Sequence, residues 1–127
     1  MDDKDLIAAA TALVGDFAPG RDCTAGGVAA ALLTAKGNIY TGICVDTACS
    51  MGFCAEHAAV AEMLKARESE IRTIVAVTNP EGIIAPCGRC RELMWQIDER
   101  NAKARVIVGP DKVMSLAELL PHHWRGC

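Results

Sequence analysis

Two short segments hold the residue types and spacings that could do chemistry: Cys54-Ala55-Glu56-His57 and Pro86-Cys87-Gly88-Arg89-Cys90-Arg91. In the first turn of a helix, the spacing of Cys87 and Cys90 puts both sulfurs on one side, within reach of one tetrahedral ion. Pro86 fixes the backbone just ahead of that turn, where no donor is needed, and Gly88 relieves crowding beside the metal. Cys54 offers a third thiolate from another predicted helix start. Three thiolates on Zn²⁺ leave one net negative charge, which two helix N-termini, each roughly half a positive charge, would offset. The same two dipoles favour ionised thiols at neutral pH.

Glu56 turns this metal site into a candidate catalytic one. It follows Cys54 by two positions and can face an open fourth position without binding the ion. Water held there by zinc has a pKa lowered toward ~7. A carboxylate beside it can take a proton and deliver it to a ring nitrogen and a leaving amine. Spacing alone leaves rivals open. Cys87-x-x-Cys90 also reads as a redox pair. Cys54-x-x-His57 with Cys87-x-x-Cys90 is a formal Cys3His set, which predicts a closed, non-catalytic structural zinc domain and leaves Glu56 without a role.

Positioning these residues requires elements that end at one edge of a sheet. Residues 3–14 place Leu6, Ile7, Ala10, Leu13 and Val14 on one helical face. Gly27 to Thr34 is a strand-length apolar run, Gly37-Asn38 a turn, and Ile39 to Asp46 its hairpin partner. Along that partner Ile39, Thr41, Ile43 and Val45 share one face, and Tyr40, Gly42, Cys44 and Asp46 the other. Residues 54–67 read as a helix and Ile71 to Thr78 as a strand buried on both faces. Asn79-Pro80-Glu81-Gly82 is a loop, residues 88–100 a helix and Ala104 to Val108 a strand. Ser115 and Glu118 form a capping box for a short last helix that Pro121 ends. The order α, β, β, α, β, α, β, α implies a single α/β domain over residues 1–127, with helices on both faces of a mixed sheet. Met94 and Trp95 read as packing residues, and His122 and His123 as surface residues.

Composition narrows the substrate. The net charge is −3 and there is no basic run beyond Lys103 and Arg105. Phosphate backbones need clustered cations, so a nucleic-acid polymer is not expected while a small molecule is. Met-Asp-Asp-Lys-Asp lacks the basic start and apolar core of a signal peptide. The longest uncharged stretch, Cys23 to Ala35, is too short for a bilayer. A soluble, cytoplasmic protein with no membrane partner is therefore expected, its cysteines being core residues, ligands or nucleophiles. Cys23, Cys49 and Cys127 read as small buried or incidental residues. With only 4% aromatic residues, the core has limited area to bury, which favours a homo-oligomer.

A ligand, one residue, a non-ligating Glu, then Pro-Cys-x-x-Cys is the pattern of zinc deaminases that use three cysteines. Cys54-Ala55-Glu56 with Pro86-Cys87-Gly88-Arg89-Cys90-Arg91 resembles the cytidine deaminase family, including its blasticidin-S deaminase branch. The similarity extends to Val28-Ala29-Ala30-Ala31-Leu32-Leu33-Thr34, Tyr40-Thr41-Gly42 and Ile74-Val75-Ala76-Val77. It implies a three-layer α/β/α sandwich with a five-stranded mixed sheet, one Zn²⁺ per subunit, and a homo-oligomer, usually a tetramer. Cys54, Cys87 and Cys90 would be ligands and Glu56 the proton shuttle. The implied reaction is hydrolysis of cytidine or deoxycytidine to uridine or deoxyuridine with release of ammonia, as in pyrimidine salvage.

The chain departs from that pattern at several positions. The family's Asn and Glu, two apart on the second strand, hold the ribose, and their places are taken by Cys44 and Asp46. Asp46 can accept from a sugar hydroxyl, whereas a thiol is a weak partner. Gly26 stands where the family has an aromatic. These changes motivate an alternative substrate, a cytosine-nucleoside analogue such as blasticidin S or an N4-substituted cytidine. Phe53 and Ala55, flanking the first ligand, are further candidates for the base pocket. His57 replaces the family's usual Arg beside the thiolates. His57 could hydrogen-bond a sulfur, or Arg89 and Arg91 could contribute charge. Trp124 matches a C-terminal aromatic that the family often reaches into a neighbouring subunit's pocket.

Overall fold

Asp2 caps the first helix, α1 (Asp3–Thr11), in a reciprocal pair with Asp5: the Asp5 N–H donates to Asp2 at 3.0 Å and the Asp2 N–H donates back at 3.2 Å. In the computed structural model, which describes residues 1–126, α1 is followed by β1 (Phe17–Gly20), β2 (Cys23–Thr34), β3 (Ile39–Thr47) and α2 (Ala55–Lys65). Then come β4 (Ile71–Thr78), β5 (Gly82–Ile84), α3 (Gly88–Ile97), β6 (Arg105–Gly109) and β7 (Lys112–Ser115). Cys127 lies outside the described residues. No helix among them is long and apolar enough to cross a membrane.

The strands form one open mixed sheet of seven, not the five that the family resemblance implied. Five run side by side as β3-β2-β4-β6-β7, and only β4 and β6 are parallel. The two extra strands prolong existing rows. Ala25 pairs with Val45 of β3 on one side and Phe17 of β1 on the other, so β1 shares the edge of β2 that β4 occupies further along. Ala76 likewise pairs with Ala30 and with Ile84, which puts β5 in line with β6.

Strand alternation sorts the core into two layers. Ala30, Leu32, Cys44, Ile74 and Ala76 face α2 and α3, with Met63, Met94, Trp95 and Leu116 completing that layer. Ala29, Ala31, Leu33, Val75 and Val77 face the other way, against Leu6 and Ala10 of α1. The three-layer sandwich with helices on both faces is therefore present. The contact between β3 and α2 is close: a Cβ added at Gly42 would lie 2.5 Å from the Ala59 nitrogen and 2.6 Å from the Ala55 carbonyl oxygen.

Some ends differ from the sequence expectation. α1 stops at Thr11 rather than running to residue 14, leaving Leu13 exposed. The 88–100 segment is an α-helix only to Ile97, followed by a 3₁₀ turn, Glu99–Lys103. The Ser115–Glu118 box forms reciprocally, at 2.8 and 3.1 Å, but opens only the 3₁₀ turn Ala117–Leu119. His123 is buried rather than superficial: its Nε2 lies 2.9 Å from Glu92 Oε1 of α3 and its ring packs against Trp95.

Asn101 is fully buried and uses its amide on three backbone groups. Its Oδ1 accepts from the Ile71 N–H at 2.7 Å, and its Nδ2 donates to the carbonyls of Met94 and Ser69 at 2.9 and 3.0 Å. It thus joins the end of α3 to the start of β4, satisfying groups that burial would otherwise leave unpaired.

Candidate active site

After β3 the chain turns through Cys49 and Ser50, both in the left-handed region, and comes back to pair Phe53 with Val45 through two backbone bonds of 2.9 and 3.0 Å. Gly52 is required there, because a Cβ would run into the Val45 carbonyl. This return delivers Cys54 to the N-cap of α2. Cys87 occupies the N-cap of α3 and Cys90 its first turn. Both helix starts meet beyond the carboxyl ends of β3 and β4.

The sulfurs of Cys54 and Cys87 lie 3.6 Å apart, and those of Cys87 and Cys90 3.5 Å apart. Donors about 2.3 Å from a tetrahedral zinc sit about 3.8 Å from one another, so these sulfurs have the spacing that the ion demands. His57 Nδ1 is 3.5 Å from the Cys90 sulfur, and the donor atoms of Cys54, His57 and Cys90 all lie within 4.8 Å of one another. Thiolates and imidazole, gathered at two helix N-termini, are a donor set suited to zinc.

Glu56 is 4% exposed and borders a cavity of about 630 Å³ together with Ala55, Cys54 and Cys87. Neither His57 nor Cys90 borders that cavity. Of the carboxylate and the imidazole beside the sulfurs, only the carboxylate reaches the cavity. Burial raises the Glu56 pKa above the ordinary carboxylate range, against the pull of its own N–H and the Cys90 thiol. Burial also pushes the Cys54 and Cys90 thiols up, and for Cys90 the Glu56 charge adds to it. For Cys87, burial acts upward too, but N–H groups of Cys90 and Arg89 and the neighbouring thiols outweigh it, and the net shift is down. His57 is held below its usual value by burial and then by the Arg89 charge.

The other sequence candidates fall as follows. Cys44, Asp46, Phe53 and Ala55 all line the same cavity. The Cys44 sulfur accepts from the Val28 N–H at 3.2 Å and lies 3.8 Å from Asp46 Oδ2. Arg91 donates to the carbonyls of Pro86 at 2.8 Å and Leu119 at 3.4 Å, so its bonds brace the loop before α3. Arg89 borders the cavity. Gly26 does not; its φ of +86° turns it toward the Gly15 carbonyl. Trp124 is exposed and bonds Glu92. Sequence reasoning missed the segment Val14-Gly15-Asp16, which forms part of the cavity wall. The signal for it was the Gly26-Gly27 pair, since glycines inside a strand mark the close approach of another backbone.

Comparison with known proteins places the chain in company. Residues 2–108 match the family model described as the cytidine and deoxycytidylate deaminase zinc-binding region. A cytidine deaminase from Sporosarcina psychrophila is 30% identical over 97 residues, spanning 74% of this chain and 71% of the relative. Among solved structures, cytidine deaminase from Burkholderia pseudomallei superposes with a TM-score of 0.77 at 31% identity, covering 96% of this chain and 98% of that one. The Mycobacterium tuberculosis cytidine deaminase gives a TM-score of 0.80 at 25% identity, with 98% of each chain covered.

Proposed function

The chain belongs to the cytidine and deoxycytidylate deaminase family, and we propose that it hydrolyses the C4 amine of cytidine or deoxycytidine, giving uridine or deoxyuridine and ammonia. It is a zinc-dependent hydrolytic deaminase. Cys54, Cys87 and Cys90 hold the ion, and Glu56 moves the protons. The observation that supports this division is the placement of Glu56: it borders the cavity beside the sulfurs, and His57, in contact with the Cys90 sulfur, does not.

Zinc bound by these thiolates supplies Lewis-acid activation of water. Glu56 accepts the proton that water releases as its oxygen bonds to C4. The carboxyl delivers that proton to ring N3, then takes the second proton from the new C4 hydroxyl and passes it to the amine, so that the C4–N bond breaks, C4 becomes a carbonyl and ammonia leaves. Ala55 and Phe53 bound the space for the ring. Asp46 accepts from a sugar hydroxyl. His57 Nδ1 points its polar contact at the Cys90 sulfur and tempers that thiolate's charge.

A cytosine-nucleoside analogue such as blasticidin S, or an N4-substituted cytidine, is the second reading. Cys44 favours it, because its sulfur already accepts from the Val28 N–H and offers a sugar little. We place the enzyme in nucleoside salvage in the cytoplasm as a single-domain subunit of a homo-oligomer, a tetramer by preference. Exposed Phe17, Met51, Phe53 and Trp124 support burial between subunits.

Ultraviolet monitoring of a panel of cytosine compounds, with zinc quantified in the same sample, tests this. Cytidine or deoxycytidine turned over fastest is the expected result. A zinc-loaded protein that deaminates nothing would reject the reading.

A further inference from the structure

One wall of the cavity is built in an unusual way. β2 carries Gly26-Gly27 where strands ordinarily carry side chains. The Gly15 N–H donates to the Gly26 carbonyl at 2.8 Å, and a Cβ at position 26 would run into the Gly15 carbonyl. The chain leaving α1 is thereby seated directly on the glycine pair. A Cβ added at Gly27 would lie 2.5 Å from Asp16 Oδ1 and 4.0 Å from the Cys44 sulfur. The Asp16 carboxylate thus fills the volume that a side chain at position 27 would take.

Beyond Cys44, whose sulfur is 3.8 Å from Asp46 Oδ2, stands the second carboxylate of this wall. Among the described residues no N–H or cation engages the Asp16 side chain, and the lining holds one cation, Arg89. That arginine sits on the helix of Cys90, where its charge acts on His57. The wall that carries Asp16 and Asp46 is accordingly an acceptor surface of uncompensated negative charge.

We propose that Asp16 is a specificity-determining residue: with Asp46 it receives hydroxyl or ammonium donors at the sugar end of the substrate and turns phosphate away. This rests on the deaminase reading above and deepens it. A sugar carrying an amino group then binds best of all, and one carrying a phosphate worst. Two carboxylates attract an ammonium and repel a phosphate dianion, so both preferences have one origin.

The test compares cytidine, 5′-amino-5′-deoxycytidine and cytidine 5′-monophosphate as substrates of the zinc-loaded full chain. The wild-type protein should show a KM several-fold lower for the amino compound than for cytidine. Its kcat/KM for the monophosphate should be about a hundredfold lower than for cytidine. Both differences should shrink as salt is raised. Asp16→Asn should bring the amino-compound ratio close to one and cut the monophosphate ratio about tenfold, the scale of a charge contact at a cleft rim. Gly27→Ala supplies the independent check, because its Cβ must push the intact Asp16 carboxylate aside, and it should move the same ratios in the same direction. Active variants with unchanged ratios would overturn the assignment to Asp16 while leaving the deaminase reading in place. A zinc-loaded wild-type protein inert on every compound would overturn both.

Discussion

Cys54 and Cys87 are the N-cap residues of two different helices, and their sulfurs lie 3.6 Å apart. Neither side chain caps its own helix. Each thiol instead faces the other across the gap between two positive helix ends, whose dipoles work against the burial that raises Cys54. Deamination as proposed needs this meeting of helix starts.

Glu56→Gln keeps the shape of the buried side chain and removes its ability to carry a proton. Turnover of cytidine should fall by about 10²–10⁴-fold, with zinc content and folding retained. Deamination assays beside metal analysis of the same preparation give the answer. Near-normal turnover would remove Glu56 from the mechanism.

His57→Ala distinguishes an open metal site from a closed one. With three sulfurs as ligands, zinc should remain at one per chain, and its affinity should drop by roughly 10–100-fold through loss of the contact to Cys90. Competition with a colorimetric chelator measures this. Release of all zinc from the variant would favour a four-ligand Cys3His site.

Gly42→Ala drives a methyl into the backbone of α2, at 2.5 Å from the Ala59 nitrogen. Overpacking of this kind costs about 1–3 kcal/mol. The melting temperature should fall, and kcat/KM should fall with it, because Cys54 and Glu56 ride on the displaced helix start. A variant with unaltered melting and activity would show that α2 is not held at this point.

The Arg100 guanidinium beside Asp98, followed by the Arg100 N–H and the Ser69 hydroxyl, overcomes burial and takes this carboxyl from its ordinary 3.8 down to about 2. The unfolded chain therefore binds this proton at higher pH than the folded one. The stabilisation is fully present above the ordinary value and is lost as pH falls through 3.8 toward 2. Chemical denaturation at a series of acid pH values should show that slope in the wild-type protein and a shallower one in Asp98→Asn. Equal slopes would exclude the contribution.

How much of this could be read from the residues follows from how local each signal is. The ligand spacing, the apolar runs of β2 and β4 and the alternation along β3 are local, and each appears in the structure where the sequence puts it. β1, by contrast, is Phe-Ala-Pro-Gly with all four residues exposed, and β5 is three residues long. Neither has a pattern, since each exists only because a neighbouring row offers a free edge. The end of α1 differs because Leu13 continues its apolar period yet stays exposed, and Val14 packs against the same core from beyond the helix. His123 follows a proline in a polar tail, and only the partner Glu92, distant in sequence, brings it inside. Asp16 enters the cavity because Gly26 and Gly27 of β2 leave room for it, and the glycine pair by itself does not say which residue fills that room.

Asn101 has a consequence for the metal-binding end of α3. A helix of ten residues is a rod of roughly 15 Å, and the amide of Asn101 bolts its far tip to the first residue of β4. Sliding the rod along its axis would break either the bond to Met94 or the two to Ile71 and Ser69, leaving buried groups unpaired, so Asn101 works as an axial stop. The depth at which Cys87 and Cys90 present themselves is thereby set from the opposite end of the molecule, by a residue that never touches the ion.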